Sequence, residues 1–488
     1  MADDTNKKAL KSGIWYTVAN FMARGVAFLT MPVFTRLMSK PDIGSYSNFA
    51  SWLAILTSVI TLDLYTSVTL AKFDFKEKID DYISSILLLG SAVTLAFFLC
   101  ALPFKGFITQ KLSLNELEFY LLFLIPLFSP SLHILQIKNR LEYRYKLSVS
   151  LSLGSAVLSA GIGLLCVLTF SDKLTGRLIG NYTPLFILYV VLFVWFLRRS
   201  RRIDVGYWKY GLKISLPLIV HVLSGHVLSS SDRIMITNIC GSEYNALYTV
   251  AYSCSMVVSI LWTSMNTAWS PWAYEQMDKQ DYAALKKASR PYLLFFGFVV
   301  ICSLLVAPEL LLLMGGRGYQ SAVWVIPPVM AAFVFQFVYS LYVNIETYSK
   351  KQKFIALGTA IAAALNIALN YIFIPIYGYV AAAYTTLAGY AVLFVIHFLF
   401  VRHLGKAGWY DNRFNLVFLG GFLLLTAGIQ ALYLNNVVRY VIIGVLFVLS
   451  AAACILLRRE ILYLIKHRSV KKLAARVRDI GDRLLKRN

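Results

Sequence analysis

Apolar residues along this chain come in long continuous runs, separated by short polar segments rich in Lys and Arg. Each run is long enough for a helix to cross a hydrocarbon core of about 30 Å, which takes about 20 residues. Barrel strands alternate over about ten residues and do not fit continuous runs of twice that length. The pattern predicts fourteen helices, near residues 12–36, 43–70, 80–103, 118–137, 147–170, 178–197, 212–238, 244–270, 291–314, 321–345, 354–376, 379–401, 414–434 and 437–457. The expected fold is an all-α polytopic membrane protein with about 14 transmembrane helices. The first run, from about Ser12 to Arg36, is too long for the apolar stretch of a secretory signal and is read as the first membrane helix.

Basic residues set the expected orientation. If the N-terminus is cytoplasmic, 37 of the 47 Lys and Arg fall in cytoplasmic segments and 9 in the alternate loops, where Arg177 is counted. Arg24 lies inside a helix and completes the set. One missed helix would invert every loop downstream of it, so the alternation supports an even count with both termini inside. The formal charge of +23 then needs no nucleic acid. It is a collar facing anionic lipid. Val470, Leu473, Val477, Ile480 and Leu484 fall on one helical stripe of the basic tail, 458–488, which is read as an amphipathic helix on the inner leaflet.

Two halves of the chain are related by an offset of about 202 residues. Leu10-Lys11 opens the first helix and Leu212-Lys213 the seventh; Gly44-Ser45-Tyr46 is matched by Ala246-Leu247-Tyr248. Six helices is an even number, so both copies cross the membrane in the same direction. The repeat axis then lies along the membrane normal, an arrangement that encloses a central cavity. The expected organisation is two pseudo-symmetric six-helix lobes, 1–200 and 201–405, plus two additional transmembrane helices at 406–457 and the tail.

Composition narrows the function. Hydrophobic residues make up 58% and charged residues 15%, against roughly 45–50% and about 25% in soluble domains. The loops leave no room for a catalytic or nucleotide-binding domain, and no G-x-x-x-x-G-K-[ST] occurs. The six cysteines form no C-x-x-C pair. No catalytic carboxylate pair, Ser–His arrangement or metal-ligand spacing is visible, so a transporter is expected rather than an enzyme, with no cofactor beyond a coupling cation, H+ or Na+.

A few residues carry the candidate chemistry. Arg24 sits mid-helix, where a charge facing lipid costs at least about 2.5–3.5 kcal/mol. It must face protein or water, either binding an anion in the cavity or pairing with a buried carboxylate. Asp63 is the nearest such carboxylate by sequence and is the coupling candidate. His226 matches Arg24 under the 202-residue offset, and His221 lies five residues earlier; a cavity His offers a second cation or a proton site, or else a helix–helix hydrogen bond. Asp232 and Arg233 read as substrate contacts or as a local interfacial pair. Trp262, Asn266 and Trp269 recur at i, i+4 and i+7, as a sugar-stacking face with an amide or as an aromatic belt. Glu275, Glu309 and Glu346 are expected at helix ends, reaching water.

Three segments resemble the polysaccharide-exporter family, the Wzx-type O-antigen and capsule flippases of the multidrug/oligosaccharidyl-lipid/polysaccharide exporter superfamily. One is Pro32-Val33-Phe34-Thr35-Arg36-Leu37-Met38-Ser39 with Asp42-Ile43-Gly44-Ser45-Tyr46. The second is Ser231-Asp232-Arg233-Ile234-Met235-Ile236 with Tyr248. The third runs Asn366-x-x-x-Asn370, Ile374-Pro375-x-x-Gly378, Ala381-Ala382-Ala383. The resemblance spans nearly the whole chain. It implies a V-shaped pair of lobes in the bacterial cytoplasmic (inner) membrane. It also implies alternating access that moves an undecaprenyl-diphosphate-linked oligosaccharide repeat unit for O-antigen, capsule or exopolysaccharide synthesis. The partners it implies are that lipid-linked oligosaccharide, membrane lipids, and the polymerase and other glycan-assembly proteins. Arg24 matches by position the first-helix arginines of related flippases. The competing readings are a cation-coupled multidrug exporter of the same superfamily, a lipid II flippase, and a membrane enzyme of glycan assembly.

Overall fold

The computed structural model describes residues 2–142, 144–200 and 202–456. Each predicted run is helical, and no strand occurs among the described residues. The helices are α1 (Ala2–Leu37), α2 (Lys40–Ile60), α3 (Ile79–Ala101), α4 (Glu116–Leu141), α5 (Tyr145–Thr169), α6 (Lys173–Arg199) and α7 (Val205–Cys240). There follow α8 (Ser242–Asp278), α9 (Tyr282–Leu305), α10 (Ile326–Tyr348), α11 (Gln352–Tyr377), α12 (Ala381–His403), α13 (Asn412–Leu432) and α14 (Asn436–Leu456). Twelve described helices are long and apolar enough to cross a membrane; α14 adds a shorter apolar stretch, Asn436–Ala452. The chain divides into two compact units, residues 1–427 and 428–488. The tail expected at 458–488 lies outside the described residues.

Local chemistry sets the helix starts. Ser39 and Asp42 form a reciprocal cap on α2, with Pro41 in its first turn. Asn115 and Glu118 do the same for α4. Such pairs satisfy backbone N–H groups that have no partner inside the helix. Asp172, Asp204 and Asp281 accept from the first turns of α6, α7 and α9.

Three predicted helices are broken. The run at 43–70 ends as a helix at Ile60, and Leu62 and Asp63 both take left-handed backbone angles, φ 52° and 46°. A short helical turn, Leu64–Ser67, and a second helix, Val68–Asp74, follow. Leu64, Val68 and Ala71 keep the apolar spacing because they pack on Tyr82, Ile83 and Ile86 of α3, so periodicity alone ran through the break. The run at 118–137 turns at Ser129-Pro130, and that at 291–314 at Val306.

Close helix contacts are made over small residues. A Cβ at Gly44 would lie 1.7 Å from the Ser242 carbonyl oxygen, so α2 meets the start of α8 backbone to backbone. Gly163 of α5 and Gly180 of α6 cross in the same way. Along the α2–α8 seam, Asn245 donates to the Gly44 carbonyl at 2.8 Å, and Lys40 pairs with Glu243 at 2.9 Å. Ser47 and Thr249, 202 positions apart, share a hydrogen bond of 2.7 Å.

Candidate functional site

A cavity of about 490 Å³ lies between α1, α2, α5, α6 and α8, within the range of small-molecule sites. Its wall is largely aliphatic and aromatic, with a polar set that includes Arg24, Ser47, Asn181 and Thr249. Two arginines line it, Arg24 and Arg177, and no carboxylate does.

Arg24 is exposed on α1 and reaches this cavity. It makes no ion pair among the described residues, so the alternative pairing with Asp63 is not what the structure has. Arg177 was counted as a loop cation, and this is corrected. It stands in the first turns of α6, only 7% exposed, with Phe34 and Tyr46 packed on its guanidinium at 4.3 and 3.9 Å. The sequence hid it because it follows Lys173 closely and looks like part of the same polar turn. Asn181, one helical turn on, donates to the Tyr46 hydroxyl at 2.8 Å while its own oxygen is unpartnered.

Asp63 is fully buried at the break after α2, and neither carboxylate oxygen has a hydrogen-bond partner. Tyr65 and His226 of α7 are the side chains that interact with it electrostatically. His221 is half-buried on the same helix with an unpartnered Nδ1. None of these three lines the cavity around Arg24.

Asp232 and Arg233 do not pair with each other, which corrects the expected local pair. Asp232 is 2% exposed and accepts from Tyr248 at 2.6 Å, Thr386 at 2.6 Å and Asn370 at 2.7 Å. Asn366 joins through Ser231 and Asn370. The buried carboxylate is thus satisfied by three donors from α8, α11 and α12, as a buried charge requires. Arg233 turns the other way, onto the Ser229 carbonyl and the Tyr252 ring. The residues that carried the family resemblance therefore meet in space: one set at the Asp232 network, the other around Arg177 and the α2–α8 seam.

Trp262 and Asn266 stay half-buried on α8 and do not line the cavity. Trp269 is buried against Tyr292 at 4.2 Å, neither a sugar platform nor a lipid-facing belt residue. Glu346 was expected to reach water; instead it is completely buried, with Oε1 2.8 Å from His397 Nδ1. Glu275 is exposed and paired with Lys279. No cluster of metal-ligating side chains occurs among the described residues.

Comparison with known proteins follows the same lines. Residues 9–277 match the family described as polysaccharide biosynthesis protein. The chain is 23% identical over 395 residues to "Lsg locus putative protein 1" of Haemophilus influenzae, covering 75% of this chain and 92% of that protein. Among solved structures it resembles the lipid II flippase MurJ in an inward closed conformation. The TM-score there is 0.65 at 14% identity, over 92% of this chain and all of that one. It also resembles an inward-facing multidrug resistance MATE family transporter of the MOP superfamily. The TM-score is 0.55 at 13% identity, over 82% of this chain and 94% of that one. These likenesses establish the fold.

Proposed function

Because the chain belongs to the polysaccharide biosynthesis protein family, we propose that it is a flippase for an undecaprenyl-diphosphate-linked oligosaccharide repeat unit. The observation that carries this reading is Arg24, a mid-helix arginine without an ion pair among the described residues, lining a carboxylate-free cavity. A diphosphate cannot cross hydrocarbon bare, since an unpaired charge there is strongly disfavoured. A cation in a wet cavity supplies its counter-charge during transit. The membrane is the bacterial inner membrane, with both termini cytoplasmic on the Lys and Arg alternation.

Two lobes, 1–200 and 201–405, rock against each other and part along the α2–α8 seam in this reading. The Ser47–Thr249 contact supports it: positions related by the repeat touch where a two-fold axis would run. Asp63 and His226 form the coupling pair. A carboxylate buried at a helix break beside an imidazole offers a site for an exchanged proton.

The test is a deletion strain. Its surface polymer is expected to be lost, restored by the wild-type gene, and not restored by Arg24→Ala at normal protein level. Full restoration by Arg24→Ala would remove Arg24 from the transport path. A lipid II substrate is the second reading, favoured by the full-length likeness to that flippase. Rescue of a lipid II flippase depletion strain would decide for it.

A further inference from the structure

Arg177 has surroundings that a purely structural arginine does not need. Its guanidinium lies over the rings of Phe34 of α1 and Tyr46 of α2, with Cζ 4.3 and 3.9 Å from the two centroids. Its donor edge is nearly unused. Nη1 reaches the Met38 sulfur at 3.8 Å, a weak acceptor, the Tyr46 hydroxyl interacts with the guanidinium, and Nε has no partner. No carboxylate lies within ion-pair distance among the described residues, although the side chain is more than nine-tenths buried. A desolvated cation with idle N–H groups is costly unless an anion completes it. The ring contacts hold the side chain in place, and a guanidinium with donors to spare suits an oxyanion with two accepting oxygens.

We propose that Arg177 is a second anion receptor of the cavity, binding a phosphoryl oxyanion of a lipid diphosphate through its guanidinium. This rests on the flippase reading and adds a residue to it. Phe34 and Tyr46 act as positioning residues that hold the guanidinium in the cavity wall. The same chemistry could come from a free diphosphate in water, and the probes below separate the two sources.

The full chain, purified in lipid nanodiscs, is titrated with geranylgeranyl diphosphate, geranylgeranyl monophosphate and inorganic pyrophosphate, over phosphatidylglycerol as the anionic-lipid background. Wild type is expected to prefer the lipid diphosphate. Arg177→Gln is expected to weaken it roughly tenfold to a hundredfold, the range for a charge-assisted hydrogen bond. Arg177→Lys keeps the charge without the flat fork and is expected to lose the preference for diphosphate over monophosphate. If Arg177→Gln fails to fold, Arg177→Lys decides alone. Wild-type affinity and selectivity in the folded variants would overturn the assignment and leave Arg177 a clamp between helices. Equal binding of inorganic pyrophosphate would overturn the lipid as its source. Arg24→Gln is measured in parallel. Loss there with no effect at Arg177 overturns only this inference, whereas no saturable diphosphate binding by wild type overturns the flippase reading beneath it.

Discussion

At the scale of single residues, the buried polar groups divide into those that are satisfied and those that are not. Asp232 is satisfied by Tyr248, Thr386 and Asn370, so it acts as the pin of α7, α8, α11 and α12. Asp232→Ala leaves three buried donors unpaired and is expected to cost on the order of 3 kcal/mol, with Asp232→Asn costing less. Melting of the detergent-solubilised protein measures it; an unchanged midpoint for Asp232→Ala would contradict the pin. Arg24 stood out in the sequence because a charge inside an apolar run must face protein or water. Arg177 and Glu346 were not, because each sits beside other polar residues near the end of a run. There the sequence does not distinguish a side chain turned to water from one turned inward. Their burial depends on Phe34 and Tyr46 from distant helices in one case and on His397 in the other.

At the scale of elements, apolar periodicity found the long helices among the described residues but not the breaks within them, nor the short helix Lys105–Leu112. Leu62-Asp63 interrupts a run whose buried spacing continues on the far side, so only backbone geometry marks the turn. Caps were more local and follow from their own side chains. Asp411, ahead of α13, accepts from the Phe414 N–H at 3.1 Å and pairs with Arg290. That N–H bond, followed by the Arg290 guanidinium, holds its carboxyl below the usual carboxylate range. Its contribution is therefore complete above the unfolded value near 4 and is lost as pH falls through the lower folded value. Screening keeps the ion-pair part within about 1 kcal/mol. Asp411→Ala is expected to lower the melting midpoint equally from pH 8 to pH 5, the difference shrinking below about pH 4; a difference that grew on acidification would contradict the assignment. At the α2–α8 seam, Gly44→Leu has no space beside the Ser242 carbonyl, and overpacking there is expected to cost about 1–3 kcal/mol or to separate the helices.

At the scale of the whole molecule, the claim is that the two repeats move against each other. Ser47→Cys with Thr249→Cys places two thiols where hydroxyls now meet at 2.7 Å. Oxidation is expected to crosslink them, seen as a linked peptide by mass spectrometry, and to abolish polymer export until a reductant is added. Crosslinked protein that still exports would show that this seam stays closed through the cycle. The 202-residue offset paired Ser47 with Thr249, and those two side chains do meet. The cavity's occupant was not, because its walls come from five helices brought together only by folding.

The central claim is tested most directly by the sidedness of the lipid-linked repeat unit in inner-membrane vesicles from the deletion strain, probed with a glycan-cleaving enzyme that cannot cross the membrane. The expected result is repeat units confined to the cytoplasmic leaflet, released to the outer leaflet by the wild-type protein and not by Arg24→Ala. Repeat units reaching the outer leaflet equally without the protein would contradict the account.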